Sequence, residues 1–171
     1  MPYGYNGKIL RVDLTTGAMK TEEPGEIVYR TYLGGGGLAS YYLLRELKPG
    51  IDPLSADNIL IFASTVISGA PIAGMTRFTV AAKSPLTGAY GEAEAGGFWG
   101  PELKFAGFDA VIITGKAETP SYLWINDGKA EIRSAEKIWG LETGPAQEMI
   151  REELGEKRAR VALIGPGGEN L

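Results

Sequence analysis

Glycine punctuates this chain and sets the grain of anything it can fold into. Twenty-five of its 171 residues are glycine, about twice the usual 7% share. They gather between apolar runs, as in Gly34-Gly35-Gly36-Gly37, Gly96-Gly97 and Gly165-Pro166-Gly167-Gly168. Glycine weakens both helix and strand interiors. A chain cut this often cannot sustain a coiled coil or a long helix. It is left with short strands and short helices joined by close backbone turns. With 44% apolar residues it has enough for a core, and its length suits one domain, residues 1–171.

The apolar pattern places the elements. Leu10, Val12 and Leu14 alternate along Lys8–Leu14, the period of a half-buried strand, and Thr15-Thr16-Gly17 turns the chain back through Ala18–Glu22. Glu26–Leu33 reads as a short helix and Leu38–Leu47 as another, ended by Pro49-Gly50. Asn58–Ala63, Phe78–Ala82 and Ala89–Glu94 read as extended, and a helix runs through Phe105. Asp109–Thr114 has the continuous apolar run of a fully buried strand. Asn126-Asp127-Gly128 between alternating segments predicts a hairpin. Gly144–Leu154 reads as an amphipathic helix, and Arg160–Ile164 as a final apolar strand. The order hairpin, helix, apolar strand, glycine-rich loop thus occurs twice, a pattern-level internal duplication. Hairpins mixed with buried strands predict an α+β fold with two β-sheets and short helices rather than a doubly wound sheet.

Composition excludes whole classes of chemistry. The chain has no cysteine and no histidine, so it cannot by itself ligate an iron–sulfur cluster or haem, build a thiolate zinc site, or run a Ser–His or Cys–His nucleophile. A net charge of −4 lacks the basic excess of a nucleic-acid binder. The uncharged run Asn58–Thr76 is broken by Ser64, Thr65, Ser68, Gly69, Pro71 and Gly74. It reads as a buried strand and loop rather than a membrane span. With no secretory signal at the start, a cytoplasmic location is expected. The terminal Gly-Pro-Gly-Gly-Glu-Asn-Leu follows directly on a predicted strand, which leads us to expect a domain cut from a longer protein.

Several motifs carry candidate chemistry. Gly34–Gly37 before a helix could cradle an anion on backbone N–H groups, or could serve close helix packing. Arg77 and Lys83 stand in an otherwise uncharged stretch, where an arginine fork suits phosphate or the edge of a heterocycle and two solvated cations are the plain alternative. Glu92 and Glu94, at i and i+2, share one face of an extended segment and suit either an acid–base pair, a hard cation or a solvated edge. Ala95, Gly96 and Gly97 follow directly, where glycine lets a ligand lie against backbone beside the aromatic Phe98-Trp99. The Gly165–Gly168 run could form a second backbone shelf.

In order along the chain stand Asn6-Gly7-Lys8-Ile9-Leu10-Arg11-Val12-Asp13-Leu14-Thr15-Thr16-Gly17, Tyr32-Leu33-Gly34-Gly35, Lys83-Ser84-Pro85-Leu86-Thr87-Gly88, the stretch Gly96 to Asp109, and Ile164-Gly165-Pro166-Gly167-Gly168-Glu169-Asn170-Leu171. As a set they resemble the N-terminal domain of the tungsten-containing aldehyde ferredoxin oxidoreductase family, essentially from end to end. The resemblance implies a base domain on which a tungsten bis-molybdopterin rests, in an enzyme that oxidises aldehydes to carboxylic acids and passes electrons through an iron–sulfur cluster to ferredoxin. It implies that Arg77 contacts the pterin, that the backbone carbonyl of Glu94 holds the Mg²⁺ bridging the pterin phosphates, and that Ala95, Gly96 and Gly97 form the shelf. The family often has Asn where Glu94 stands. The resemblance further implies that iron–sulfur ligands and substrate walls lie in missing C-terminal domains of the same protein. Those domains are the first expected partners, with ferredoxin and a homodimer or self-association beside them, and no nucleic acid or membrane. On this reading no catalytic residue lies in these 171 residues, and the fragment binds no cofactor and is inactive alone. A stand-alone pterin- or phosphate-binding subunit and a non-catalytic structural module of a multi-chain complex are the alternatives.

Overall fold

A computed structural model describes residues 4–170. Its elements are β1 (Ile9–Asp13), β2 (Met19–Glu22), α1 (Glu26–Tyr32), α2 (Gly35–Glu46), β3 (Leu60–Ser64), β4 (Phe78–Lys83), β5 (Tyr90–Ala95), α3 (Trp99–Phe105), β6 (Ala110–Thr114), β7 (Ser121–Asn126), β8 (Lys129–Ser134), α4 (Thr143–Leu154) and α5 (Pro166–Glu169). The expected α+β architecture with two sheets and short helices is what the chain forms. The described residues divide into two compact units, one of residues 4–117 with Ile125–Ala130, the other of Glu118–Trp124 with residues 131–170.

In the first unit six strands form one sheet in the order β2-β1-β6-β3-β4-β5. Only β1 and β6 run parallel; β1–β2, β6–β3, β3–β4 and β4–β5 are antiparallel. Because directly paired residues share a face, the register puts Ile9, Ala110, Ile112, Ile61, Ala63, Thr79 and Ala81 on one side. That side carries the core: Tyr29 of α1 and Leu38, Ala39, Tyr42 and Leu43 of α2 pack with Ile9, Ile61, Ala63, Ala81, Ala110 and Ile112. On the opposite side Trp99 of α3 lies against the rings of Phe62 and Phe78, at centroid distances of 5.3 and 4.7 Å.

The second helix begins at Gly35 rather than at Leu38, so the glycine run is inside the helix. Glycine there costs propensity, yet a side chain at these positions would cost more. Gly34 has φ 81° and ψ −165° and bridges to Thr65, a conformation closed to other residues. A Cβ on Gly35 would stand 3.2 Å from Thr65 Cγ2 and 3.4 Å from Thr79 Oγ1. Close approach of α2 to the sheet is the reason for the cluster.

Two polar networks tie the unit together. The Arg11 guanidinium lies 5.1 Å over the Tyr42 ring, donates through Nε to Glu22 at 2.5 Å, and forms a fork on Glu46 at 2.7 Å on each arm. The Tyr42 hydroxyl donates to Glu22 at 2.7 Å. Burial pushes the Tyr42 hydroxyl up, and its bond to Glu22 pushes it further. For Glu22 burial works upward, but the bonds from Tyr42 and Arg11 outweigh it and hold the carboxyl below its usual range. In the second network Lys104, 2% exposed, donates from Nζ to the carbonyls of Gly4, Thr65 (3.0 Å) and Val66 (3.2 Å). Asp109 lies 3.9 Å from that ammonium and accepts the backbone N–H groups of Asn6, Gly7 and Lys8. Burial lowers the Lys104 pKa, and the Asp109 charge opposes this only in part.

The hairpin β7–β8 turns at Asp127 (φ 46°) and Gly128 (φ 77°), the left-handed pair that suits the strand twist. In the second unit Ala146 and Ile150 of α4 are buried with Ala135 and Ala159. Arg151 Nε donates to the Ala159 carbonyl at 3.0 Å, and the Tyr122 hydroxyl to Glu153 at 2.7 Å. Arg160–Ile164 is a correction: the segment forms no strand. A strand exists by its ladder bonds to a neighbour, and no described strand lies beside this one; Ile164 is 69% exposed. The second hairpin–helix run therefore stops short of the strand that would complete a duplication. The Gly165–Gly168 loop winds into α5, whose Glu169 accepts the Gly140 N–H at 2.7 Å.

Lys104→Met removes the cation from three carbonyls and a buried carboxylate. It should destabilise the fold by about 3–5 kcal/mol, read by denaturant unfolding. Glu22→Gln tests the other network. Since the folded-state pKa of Glu22 is depressed, its contribution is complete above the ordinary value of 4.5 and is lost as pH falls through the folded value. The variant should be less stable by about 1 kcal/mol at pH 7, with the gap closing under acid; a gap constant down to pH 2 refutes the assignment.

Candidate functional site at the β4–β5 end of the sheet

The start of β4 and the end of β5 meet in register, Phe78 beside Ala95 and Thr79 beside Glu94. Arg77 immediately precedes β4 and Gly96 immediately follows β5, so the ladder brings the two together. A Cβ on Gly96 would stand 3.9 Å from Arg77 Nε and 3.7 Å from Thr76 Oγ1. Gly97, at φ 97°, donates its N–H to Thr76 Oγ1 at 3.4 Å. The exposed Arg77 guanidinium has no hydrogen-bond or ion-pair partner among the described residues. The arrangement is an open cation alongside bare glycine backbone. It suits a flat polar ligand with anionic groups, one face on the backbone and one edge on the arginine fork.

Other expected groups fall elsewhere. Lys83 ends β4 at the far side of the ladder, and its ammonium donates to the Ile51 carbonyl at 2.6 Å; it does not join Arg77. Glu92 and Glu94 do share a face, through Ala81 and Thr79, but their roles divide. Glu92 takes the Tyr90 hydroxyl and lies against the first turn of α2, where a Cβ on Gly36 would meet its carboxylate oxygens at 2.8 Å. The chain's own carboxylate thus stands where the glycine run could have cradled an anion, and Gly34 and Gly35 are buried. Close packing is the reading of that run which the structure supports. Glu94 and Ala95 are exposed, and the Glu94 side chain has no partner among the described residues.

A metal has little to hold it here. Among the described residues no group of three His, Cys, Asp or Glu converges, and the chain has neither thiolate nor imidazole to offer. A metal-bearing cofactor fits only if it is gripped by its organic part, with at most a backbone carbonyl offered to a hard cation. Arg77 and the Ala95–Gly97 backbone meet that requirement. Phe98, which follows Gly97 directly, is 64% exposed and Phe105 61%, whereas Trp99 turns in against Phe62 and Phe78. No helix among the described residues is long and apolar enough to cross a membrane.

Two hydroxyls at this site escaped sequence reasoning. Thr76 and Ser68 bond to backbone groups, and such contacts leave no spacing signature; their only mark was lying in the uncharged loop before Arg77.

Comparison with known proteins bears on this geometry. The family described as aldehyde ferredoxin oxidoreductase, N-terminal domain, matches residues 9–171. The tungsten-containing aldehyde ferredoxin oxidoreductase of Pyrococcus horikoshii is 48% identical over 170 residues, 98% of this chain and 28% of that protein. The aliphatic sulfonate oxidoreductase, WOR-like subunit, of Pyrococcus furiosus is 36% identical over 183 residues, covering 98% of this chain and 29% of the relative. Among solved structures, the active-site complex BamBC of benzoyl coenzyme A reductase with 1,5-dienoyl-CoA contains a chain that superposes with a TM-score of 0.96 at 40% identity, over 98% of this chain and 26% of that one. The chain therefore spans little more than a quarter of the relatives it matches. With the match running from residue 9 to residue 171, this chain belongs to the aldehyde ferredoxin oxidoreductase family, in the region of its N-terminal domain.

Proposed function

We propose that this chain is the cofactor-base domain of a tungsten-dependent oxidoreductase that converts aldehydes and water to carboxylic acids, two electrons leaving through an iron–sulfur cluster to ferredoxin. The observation that carries the reading is the unpartnered Arg77 guanidinium against the bare Gly96 backbone, in a chain 48% identical to a named tungsten enzyme. When bound, a tungsten bis-molybdopterin supplies the two-electron redox chemistry. The chain's own part would be to bind and orient: Arg77 would hold a polar edge, the Ala95–Gly97 backbone would give flat support, and the Glu94 carbonyl would be available to a Mg²⁺ carried with the cofactor. The iron–sulfur ligands and the substrate walls belong to polypeptide beyond these residues, since there is no cysteine here. The exposed Phe98 and Phe105 are assigned to contact with that polypeptide or to self-association, and the protein to the cytoplasm.

One base serves several substrates in this family. The relatives are named for an aldehyde, an aliphatic sulfonate and benzoyl coenzyme A, yet each matches 98% of this chain. Substrate choice is therefore assigned to the other domains.

In the cofactor-loaded protein Arg77→Ala should reduce retained pterin roughly ten- to hundredfold, since a hydrogen bond to a charged group is worth about 1.5–3 kcal/mol. Arg77→Lys should recover only part, because a point charge does not reproduce a planar fork. Unchanged pterin content in Arg77→Ala overturns the proposal. Glu94→Gln keeps the backbone carbonyl and should leave Mg²⁺ and tungsten contents as they were, measured by elemental analysis. If it strips the metals, the carboxylate itself is the ligand.

A further inference from the structure

The loop between β3 and β4 contains one buried polar side chain that the binding reading does not use. Ser68 is 5% exposed and its hydroxyl is fully engaged. It donates to the Arg77 carbonyl at 2.7 Å, accepts the Thr65 N–H at 3.0 Å, and meets the Thr65 hydroxyl at 3.1 Å. A serine hydroxyl has one proton. With that proton on the Arg77 carbonyl, the Thr65 hydroxyl is the donor in the third contact. Thr65 is itself fixed from two sides, by Lys104 Nζ on its carbonyl at 3.0 Å and by the bridge to Gly34.

We propose that Ser68 is a positioning residue for Arg77, transmitting the rigidity of the Lys104–Thr65 anchor to the arginine backbone so that the guanidinium is presented at Gly96. The proposal rests on the reading of Arg77 as a cofactor-binding residue. The physical need is plain. An arginine side chain is long, and its two-armed contact holds only when the backbone that carries it is fixed to within about half an ångström. Arg77 lies just outside β4, beyond the ladder that would otherwise hold it. Ser68 fixes its carbonyl from one side; Thr76 Oγ1, bonded to Gly97 N–H at 3.4 Å, sets the spacing to the shelf from the other. Arg77 is therefore tied through its backbone, and its side chain is left open for ligand.

The test compares Ser68→Ala, Ser68→Thr, Arg77→Ala and the double variant Ser68→Ala/Arg77→Ala in the cofactor-loaded protein. The readout is pterin per chain, measured by fluorescence after oxidative release. Ser68→Ala should retain roughly three- to tenfold less pterin, and Ser68→Thr, which keeps the hydroxyl, should stay near the parent. The double variant should retain no less than Arg77→Ala alone, because Ser68 acts only through Arg77. A merely structural role gives additive losses instead. Full retention in Ser68→Ala, or additivity in the double variant, overturns the proposal while leaving Arg77 as a ligand. Full retention in Arg77→Ala brings down the binding reading and this inference with it. Should Ser68→Ala fail to fold, Ser68→Cys, with a weak donor of similar size, replaces it in the same comparison, with intermediate retention expected and parental retention overturning.

Discussion

A single buried ammonium holds the first unit in register. Lys104 arises from the short helix α3, and its Nζ collects carbonyls from Gly4, from Thr65 and from Val66, with Asp109 at 3.9 Å. Asp109 in turn caps the amides of Asn6, Gly7 and Lys8. Four stretches distant in sequence thus converge on one charge pair: the chain before β1, the end of β3, α3 and the start of β6. Taking both charges out of water is costly and is repaid only where the surrounding hydrogen bonds are complete. Here they are nearly so, and the pair fixes which loop lies over which strand. The site at the β4–β5 end inherits that order, since the Thr65 carbonyl on Lys104 is one bond from the loop that leads to Arg77.

Glycine supplies the second constraint, and it works by distance. On the core side, Gly34, Gly35 and Gly36 let the start of α2 sit against the sheet where a Cβ would meet Ser64, Thr65, Thr79 or Glu92, and at Gly37 it would meet the Tyr32 carbonyl of α1. On the β5 edge, Gly96 leaves the Arg77 side chain lying along open backbone. The same residue type serves packing at one position and exposure at the other. What distinguishes them is the neighbouring element. The first cluster is the opening turn of a twelve-residue helix packed on the sheet, whereas only the seven-residue α3 follows the second, and it turns toward Phe62 and Phe78.

Much of this was legible before any coordinates. The alternation in β1, the continuous apolar run of β6 and the Asp-Gly hairpin turn each reflect a local rule, so each element lies where the pattern placed it. Arg77 could be singled out because a lone cation in an uncharged run is visible to sequence. Lys83, in the same uncharged stretch, stands apart from Arg77 for a geometric reason: six residues of extended strand carry a side chain to the opposite end of the ladder, at roughly 3.3 Å per residue. The helical state of Gly35–Gly37 was hidden because tertiary packing overrode propensity. Arg160–Ile164 has strand composition without a strand neighbour, and composition cannot supply the ladder. Ser68 was invisible because its partner is a carbonyl, which every residue possesses.

Composition limits what this domain can contribute to a site. A domain without cysteine or histidine has no thiolate or imidazole to offer, so its polar contacts come from backbone, hydroxyl, amide, carboxylate, ammonium and guanidinium groups. It can, however, offer a flat support and one fixed fork, and both depend on backbone placement more than on side-chain chemistry. This chain is 48% and 36% identical to relatives named for different substrates. The Arg77 side chain is left open while its main-chain carbonyl is held by the Ser68 hydroxyl at 2.7 Å. Whatever holds that main chain still also sets where the guanidinium stands, and the hydrogen bonds that do so run from buried Ser68 through Thr65 to buried Lys104.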